Sequence, residues 1–230
     1  MNILKKIISL IFITILFSGS NKEEYIYDIE IKGLSAIAGK VGNCNLKIIK
    51  NMNNEYEMSI TTKTTNFAKI LFPYIDIIKL KINKYFSLIS LEKNTSNSNK
   101  ILKVDIDKTN KTITRNGKIL SFYADTLFSP YSLIYFLKNN DIKLNNKFAY
   151  NLFDGKKIER ILLWVSKIEK ISVPYGSFNC YNIIPITNEN IIKNNGLIEL
   201  WYSTDEKKLP VKIKLDTKIG TFIMKLKNIK

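Results

Sequence analysis

Residues 198–226 read IELWYSTDEKKLPVKIKLDTKIGTFIMKL, and how that stretch folds decides the architecture. Ile198, Leu200 and Tyr202 alternate with Glu199 and Trp201. Ser203, Thr204 and Asp205 then supply turn chemistry, and Val211, Ile213 and Leu215 alternate with Lys212 and Lys214. Gly220 opens a third run through Phe222, Met224 and Leu226. Successive side chains on a strand point to opposite faces, so this alternation sends most apolar groups one way and the charges the other. Three antiparallel strands joined by short turns are predicted, with one dry face and one wet face. Trp201 is the exception. Alternation sets it beside Glu199 on the wet face, where only a bulge or a second cover would bury it.

The same period recurs outward from there. Tyr25, Tyr27, Ile29 and Ile31 alternate with Asp28, Glu30 and Lys32 in a first strand, after which the small residues of 33–39 suggest a bulge or close backbone approach. Residues 45–50 and 55–62 flank the polar loop Asn51-Met52-Asn53-Asn54, and 67–72 is a short apolar run, compatible with a helical turn, that Pro73 stops. Residues 79–83, 87–93 and 101–107 read as short strands, with 94–100 as an exposed loop. Asn116-Gly117 between β-branched residues is a type I′ hairpin signal, because both turn centres need positive φ. Further strands are predicted over 143–151, 158–171 and 178–185, with Pro174 to Ser177 a turn; the continuous run Leu162, Leu163, Trp164, Val165 predicts a strand buried on both faces. One substantial helix is predicted over 125–137. Asp125 or Ser129 can cap it, Pro130 suits its first turn, and Leu127, Tyr131, Ile134 and Leu137 share a face that can cover the dry side of the sheet.

At 230 residues the chain is long enough for one sizeable core, and no linker or repeat divides it. Lys5 and Lys6 precede an apolar run over 7–17 and the small residues Ser18, Gly19 and Ser20, the layout of a secretory signal peptide over 1–20, leaving 21–230 as a single domain. A protein sent across the inner membrane, to the periplasm, is the expectation, with no stable membrane span after cleavage; a retained anchor is the rival reading. The formal charge is +16, and +14 without Lys5 and Lys6. Nucleic acid is disfavoured as the partner, because the basic residues are lysines apart from Arg115 and Arg160 and are spread along nearly every strand. Cys44 and Cys180 could form a disulfide in an oxidising compartment or be two buried thiols.

Chemistry is hard to place on this chain. It contains no histidine, which removes the commonest general base and zinc ligand, and its two distant cysteines cannot build a thiolate metal site. The pairs Asp28 with Glu30 and Asp105 with Asp107 each share one strand face, but it is the wet face, where carboxylates balance lysines rather than forming a dyad. Asp205 and Glu206 lie in a turn. No catalytic residue, metal site or cofactor is implied, and the reading is noncatalytic.

Four segments together carry a resemblance: YDIEIKGLSAIAG (27–39), ADTLFSPYSLIYFL (124–137), VPYGSFNCYNI (173–183) and LWYSTDEKKLPVKI (200–213). In this order and spacing they resemble the Domain of Unknown Function 3108 (DUF3108) family of exported bacterial proteins. The resemblance implies a mainly β fold, a strongly curved antiparallel sheet (half-barrel or barrel-like) with one packed α-helix around 125–137, and it carries over no activity. Tyr202, Tyr131, Tyr135, Trp164 and Phe178 then stand as candidate ligand-binding residues lining an apolar cavity between helix and sheet, although plain core is the more usual fate of aromatics at these spacings. Two partner classes follow: a lipid or other apolar ligand inside the sheet, or an envelope protein or polyanion met by a sheet edge or the lysine-rich face.

Overall fold

The computed structural model describes residues 22–33, 39–96, 101–186, 197–217 and 220–230. The expected signal peptide over 1–20, most of the small-residue run after Gly33 and the end of the 94–100 loop lie outside the described residues. The first eight strands are β1 (Lys22–Lys32), β2 (Gly39–Lys50), β3 (Tyr56–Thr64), β4 (Ile75–Ile82), β5 (Leu88–Thr95), β6 (Leu102–Asp107), β7 (Thr112–Arg115) and β8 (Lys118–Ser121). The last six are β9 (Lys147–Phe153), β10 (Ile158–Val173), β11 (Gly176–Pro185), β12 (Leu197–Ser203), β13 (Pro210–Thr217) and β14 (Gly220–Ile229). A short helix, α1 (Asn66–Leu71), joins β3 to β4, and α2 (Pro130–Lys138) lies between β8 and β9.

All the strands belong to one sheet in the order β8 to β1, then β14 back to β9. Each strand therefore pairs with its neighbour in sequence, apart from the central pair β1–β14, where Ile29 faces Met224 and Ile31 faces Phe222. The stretch 198–226 forms the expected three strands, with Leu200 facing Ile213 and Ile213 facing Met224. Alternation holds on β1 as well: Tyr25, Tyr27, Ile29 and Ile31 are all buried. At the β7–β8 turn Asn116 (φ 45°) and Gly117 (φ 81°) both take the positive dihedrals that a type I′ turn demands.

The sheet curls but does not close. Its edges, β8 and β9, are not paired to each other; the segment before α2 instead bridges β9 to β5, and buried side chains of α2 fill the curl. Phe128 N–H donates to Asn151 O (2.9 Å) and Phe128 O accepts from Phe153 N–H (2.7 Å), while Leu127 O accepts from Leu88 N–H (2.7 Å). Two consecutive residues thus fasten β9 to the start of β5. This corrects the expected helix boundary. Leu127 and Phe128 spend their backbone groups on strand partners, so α2 starts at Pro130, with Ser129 as its cap in a reciprocal box with Ser132. Asp125 is not the helix opener; its side chain is 98% exposed, with Lys111 at 3.7 Å.

The run Leu162 to Val165 is also corrected. Leu163 and Val165 are fully buried whereas Leu162 is largely exposed, so β10 has one dry face like its neighbours. The core lies between the concave face and α2, where Leu133, Ile134 and Leu137 are buried. Full burial of one such leucine contributes roughly 2–3 kcal/mol. Trp201 is buried on the other face by a local cover: its Nε1–H donates to Glu169 Oε1 (2.8 Å) and the Lys212 ammonium sits 3.9 Å from its ring centroid.

Candidate functional site

Three of the five candidate ligand residues lie at the interface of α2 and the sheet, as filling rather than as walls. Tyr202, on β12, is fully buried and its hydroxyl donates to Ile134 O in α2 (2.8 Å). Tyr131 and Tyr135 project from α2 into the curl; burial raises the pKa of both phenols. Around Tyr135 the rings of Tyr56 and Phe86 pack at centroid distances of 5.8 and 5.6 Å, mostly edge to face. Trp164 stands apart. It is out of phase with buried Leu163 and Val165, half-buried on the opposite face of β10, in register with Lys147 and Ile184.

Phe178 is elsewhere again, at the end of the barrel where the described chain begins and ends. The hairpin β10–β11 overruns its neighbours, and Tyr175 N–H at its tip donates to Leu226 O on β14 (3.0 Å), three strands away. Tyr175 and Phe178 stack there nearly parallel, 6.2 Å between centroids. Between this tip, the start of β1, the end of β14, the β12–β13 turn and the C-terminus of α2 lies an open cleft of about 570 Å³. Its apolar lining is Tyr25, Tyr175, Phe178, Leu209 and Ile229, and its polar lining includes Glu23, Lys138, Asp205, Lys207 and Lys208.

Glu23 organises the polar side. Its carboxylate accepts from the Tyr25 hydroxyl and from the Tyr135 hydroxyl (2.8 Å), and Lys138 Nζ lies 3.1 Å away. Partial burial pushes the Glu23 pKa up, but the two phenol hydrogen bonds and the Lys138 ammonium outweigh it, so the group titrates below the ordinary carboxylate value. Lys208 Nζ donates to Asn140 O (2.5 Å), tying the β12–β13 turn to the chain just after α2. In that turn Asp205 accepts from Ser203 Oγ (2.7 Å), and Ser203 Oγ accepts from Leu209 N–H (2.8 Å). The site is therefore a pre-formed amphipathic recess with a shared carboxylate at its base. The sequence did contain a pointer to it: Glu23 is two residues before Tyr25 and so belongs to the otherwise apolar face of β1.

The carboxylates of β1 are paired and the two cysteines are buried. Asp28 meets Lys40 at 2.8 Å and Glu30 meets Lys225 at 2.7 Å, so each of these carboxylates balances its own lysine. Cys44 and Cys180 are separate buried thiols, and burial pushes their pKa values up to about 11 and about 12. A second concavity, about 470 Å³, lies over β2 to β6 and is lined by Lys47, Glu57, Lys79, Lys81, Glu92 and Lys103 among others, a mixed-charge surface.

With this geometry in hand, the solved structures give a fold. A β-barrel-like protein of domain of unknown function DUF1849 from Brucella abortus superposes with a TM-score of 0.61 at 9% identity, covering 91% of this chain and 97% of the other. A protein from Parabacteroides distasonis, titled a "putative lipoprotein", aligns over 90% of this chain and 94% of its own at 17% identity, with a TM-score of 0.33. Among curated proteins no relative matches. The family model for DUF3108, a protein family of unknown function, matches residues 27–227, nearly the whole chain, and the protein belongs to that family.

Proposed function

We propose that this DUF3108 protein is a noncatalytic, exported component of the cell envelope that holds a lipid or other amphipathic ligand. The binding place is the cleft at the chain-terminal end of the barrel, not the space between α2 and the sheet. That inner space is occupied by Tyr202, Leu137 and Tyr135, all buried, so a ligand there would have to displace core. The carrying observation is the cleft itself. Its volume of about 570 Å³ falls within the range of small-molecule sites, and stacked Tyr175 and Phe178 face charged groups across it. An apolar chain would lie along the two rings and Ile229, with its polar end toward Lys138 and Lys207. Nothing in the arrangement calls for catalysis: Glu23 is held as a charged hydrogen-bond acceptor, poorly suited to take up a proton near neutral pH.

Native mass spectrometry of the protein extracted from its own envelope fraction tests this. A copurifying lipid mass is expected on the wild type and is expected to be lost from Phe178→Asp. No bound mass on the wild type, or equal retention by the variant, would refute the assignment.

A further inference from the structure

At the opposite end of the barrel the chain exposes an apolar tip that the cleft does not use. On and just beyond α1, Phe67 is 64% exposed, Ile70 77%, Leu71 45% and Phe72 59%. Ala68 alone turns inward and is buried, and Thr65 N–H donates to Val41 O (3.0 Å), which fastens the start of the helix to β2. Ile75 and Ile77, on the outward-pointing positions at the head of β4, carry exposed apolar surface on from the helix. Scattered exposed leucines are ordinary; six large apolar groups in eleven residues mark an interaction site.

The charges around the tip identify the kind of surface it meets. Lys69 lies in the last turn of α1, and Lys63 stands directly opposite Ile75 in the β3–β4 ladder. Both are exposed, and neither forms an ion pair with a described residue. The acid close by, Asp76, is buried and already matched by Lys93 at 3.2 Å and by the Thr95 hydroxyl at 2.6 Å. The tip is therefore apolar at its crown and positive at its base. It stands on the connection between the ends of β3 and β4. That is the pattern of a segment that beds its apolar side chains at the acyl boundary while lysines meet anionic headgroups.

The geometry points to α1 and the residues after it as a docking element for an anionic lipid surface, independent of the cleft. Site-specific fluorescence on the full chain tests it. Cys44 and Cys180 are buried, so an environment-sensitive dye attaches selectively to Ile70→Cys, or to Met52→Cys in the β2–β3 loop. Met52 is fully exposed and lies at the other end of the barrel, the end where Lys22 pairs with Ile49. With vesicles of phosphatidylcholine containing a third phosphatidylglycerol, a blue shift is expected at position 70 and none at position 52. The vesicle concentration for half the shift is expected to rise at least tenfold with Lys63→Glu plus Lys69→Glu, and again in pure phosphatidylcholine. A shift at 52 and not at 70 would place the membrane at the chain-terminal end and overturn the proposal. So would no shift at either position, or a shift at 70 that follows protein concentration without vesicles, which would make the tip a contact between two copies. Failure of the cleft to hold lipid would leave the response at position 70 intact.

Discussion

Glu23→Gln separates the electrostatic role of the cleft from its packing. The carboxylate serves the Tyr25 and Tyr135 hydroxyls and Lys138 together, while both tyrosine side chains are buried. Glutamine keeps one acceptor oxygen for one of the phenols and loses the charge. The variant forfeits one hydrogen bond to a charged group, about 1.5–3 kcal/mol when buried. It also loses an ion pair that solvent screening holds to about 0.2–1 kcal/mol, since the carboxylate is 36% exposed. A total of about 2–4 kcal/mol is expected at neutral pH, which for a domain of this size lowers Tm by about 4–16 °C. The pH dependence carries the sharper test. The native pKa of Glu23 is lowered from 4.5, so its stabilisation is fully present above that value and disappears as pH falls through the lower native one. Thermal melts followed by circular dichroism from about pH 8 to about pH 3 should therefore show a gap between wild type and variant that is widest at neutral pH and narrows in acid. A gap of constant size across the series, or no gap at neutral pH, would refute the assignment of Glu23 as the charged centre of the cleft.

Three further outcomes follow from the same contacts. Tyr202→Phe removes the hydroxyl bonded to Ile134 O and leaves the ring in place, so a loss of about 1 kcal/mol, or about 2–4 °C in Tm by calorimetry, is expected. Gly42→Ala would set a methyl group 2.4 Å from Lys63 O in the facing strand, where backbone must shift; chemical denaturation should report a loss of about 1–3 kcal/mol. Cys44 and Cys180 should resist alkylation in native buffer at pH about 8, because burial holds both as neutral thiols, and both should react at once in guanidinium.

Where side-chain direction alone decided an element, the sequence was legible. The alternation in 198–226 yields β12, β13 and β14, and Asn116-Gly117 yields the β7–β8 turn. Ser129 as the cap of α2 was also readable, since Ser132 three residues on completes the box. What could not be read depends on partners remote in sequence. Residues 125–128 carry a helical pattern, yet Leu127 and Phe128 bond to Leu88, Asn151 and Phe153, and no local signal announces those strands. The continuous run at Leu162 to Val165 looked buried on both sides because hydrophobicity does not reveal which face has a cover; Leu162 has none. Trp201 was the converse, a wet-face residue whose cover, Glu169 and Lys212, comes from two other strands. The cleft escaped for the same reason. Glu23, Lys138, Tyr175 and Phe178 become neighbours through the β1–β14 pairing and the overrun of β10–β11, neither of which leaves a mark in local composition.

The way the barrel is completed also explains where its binding surfaces lie. A sheet that met itself strand to strand would need side chains only to fill its interior. Here β8 and β9 do not meet, so α2 must fill the curl while Leu127 and Phe128 satisfy backbone groups of β5 and β9. That arrangement consumes the interior: Leu137, Ile134, Tyr135 and Tyr202 are buried together, and widening the space for a ligand would cost the same contacts that seat α2 in the curl. Recognition is then displaced to the ends, where turns carry residues that the core does not require. Strands of eight to twelve residues, such as β4 and β2, put those ends about 25–40 Å apart. At that separation a substitution at Phe178 and one at Ile70 share no contacts, and their effects on cleft occupancy and vesicle docking should add independently.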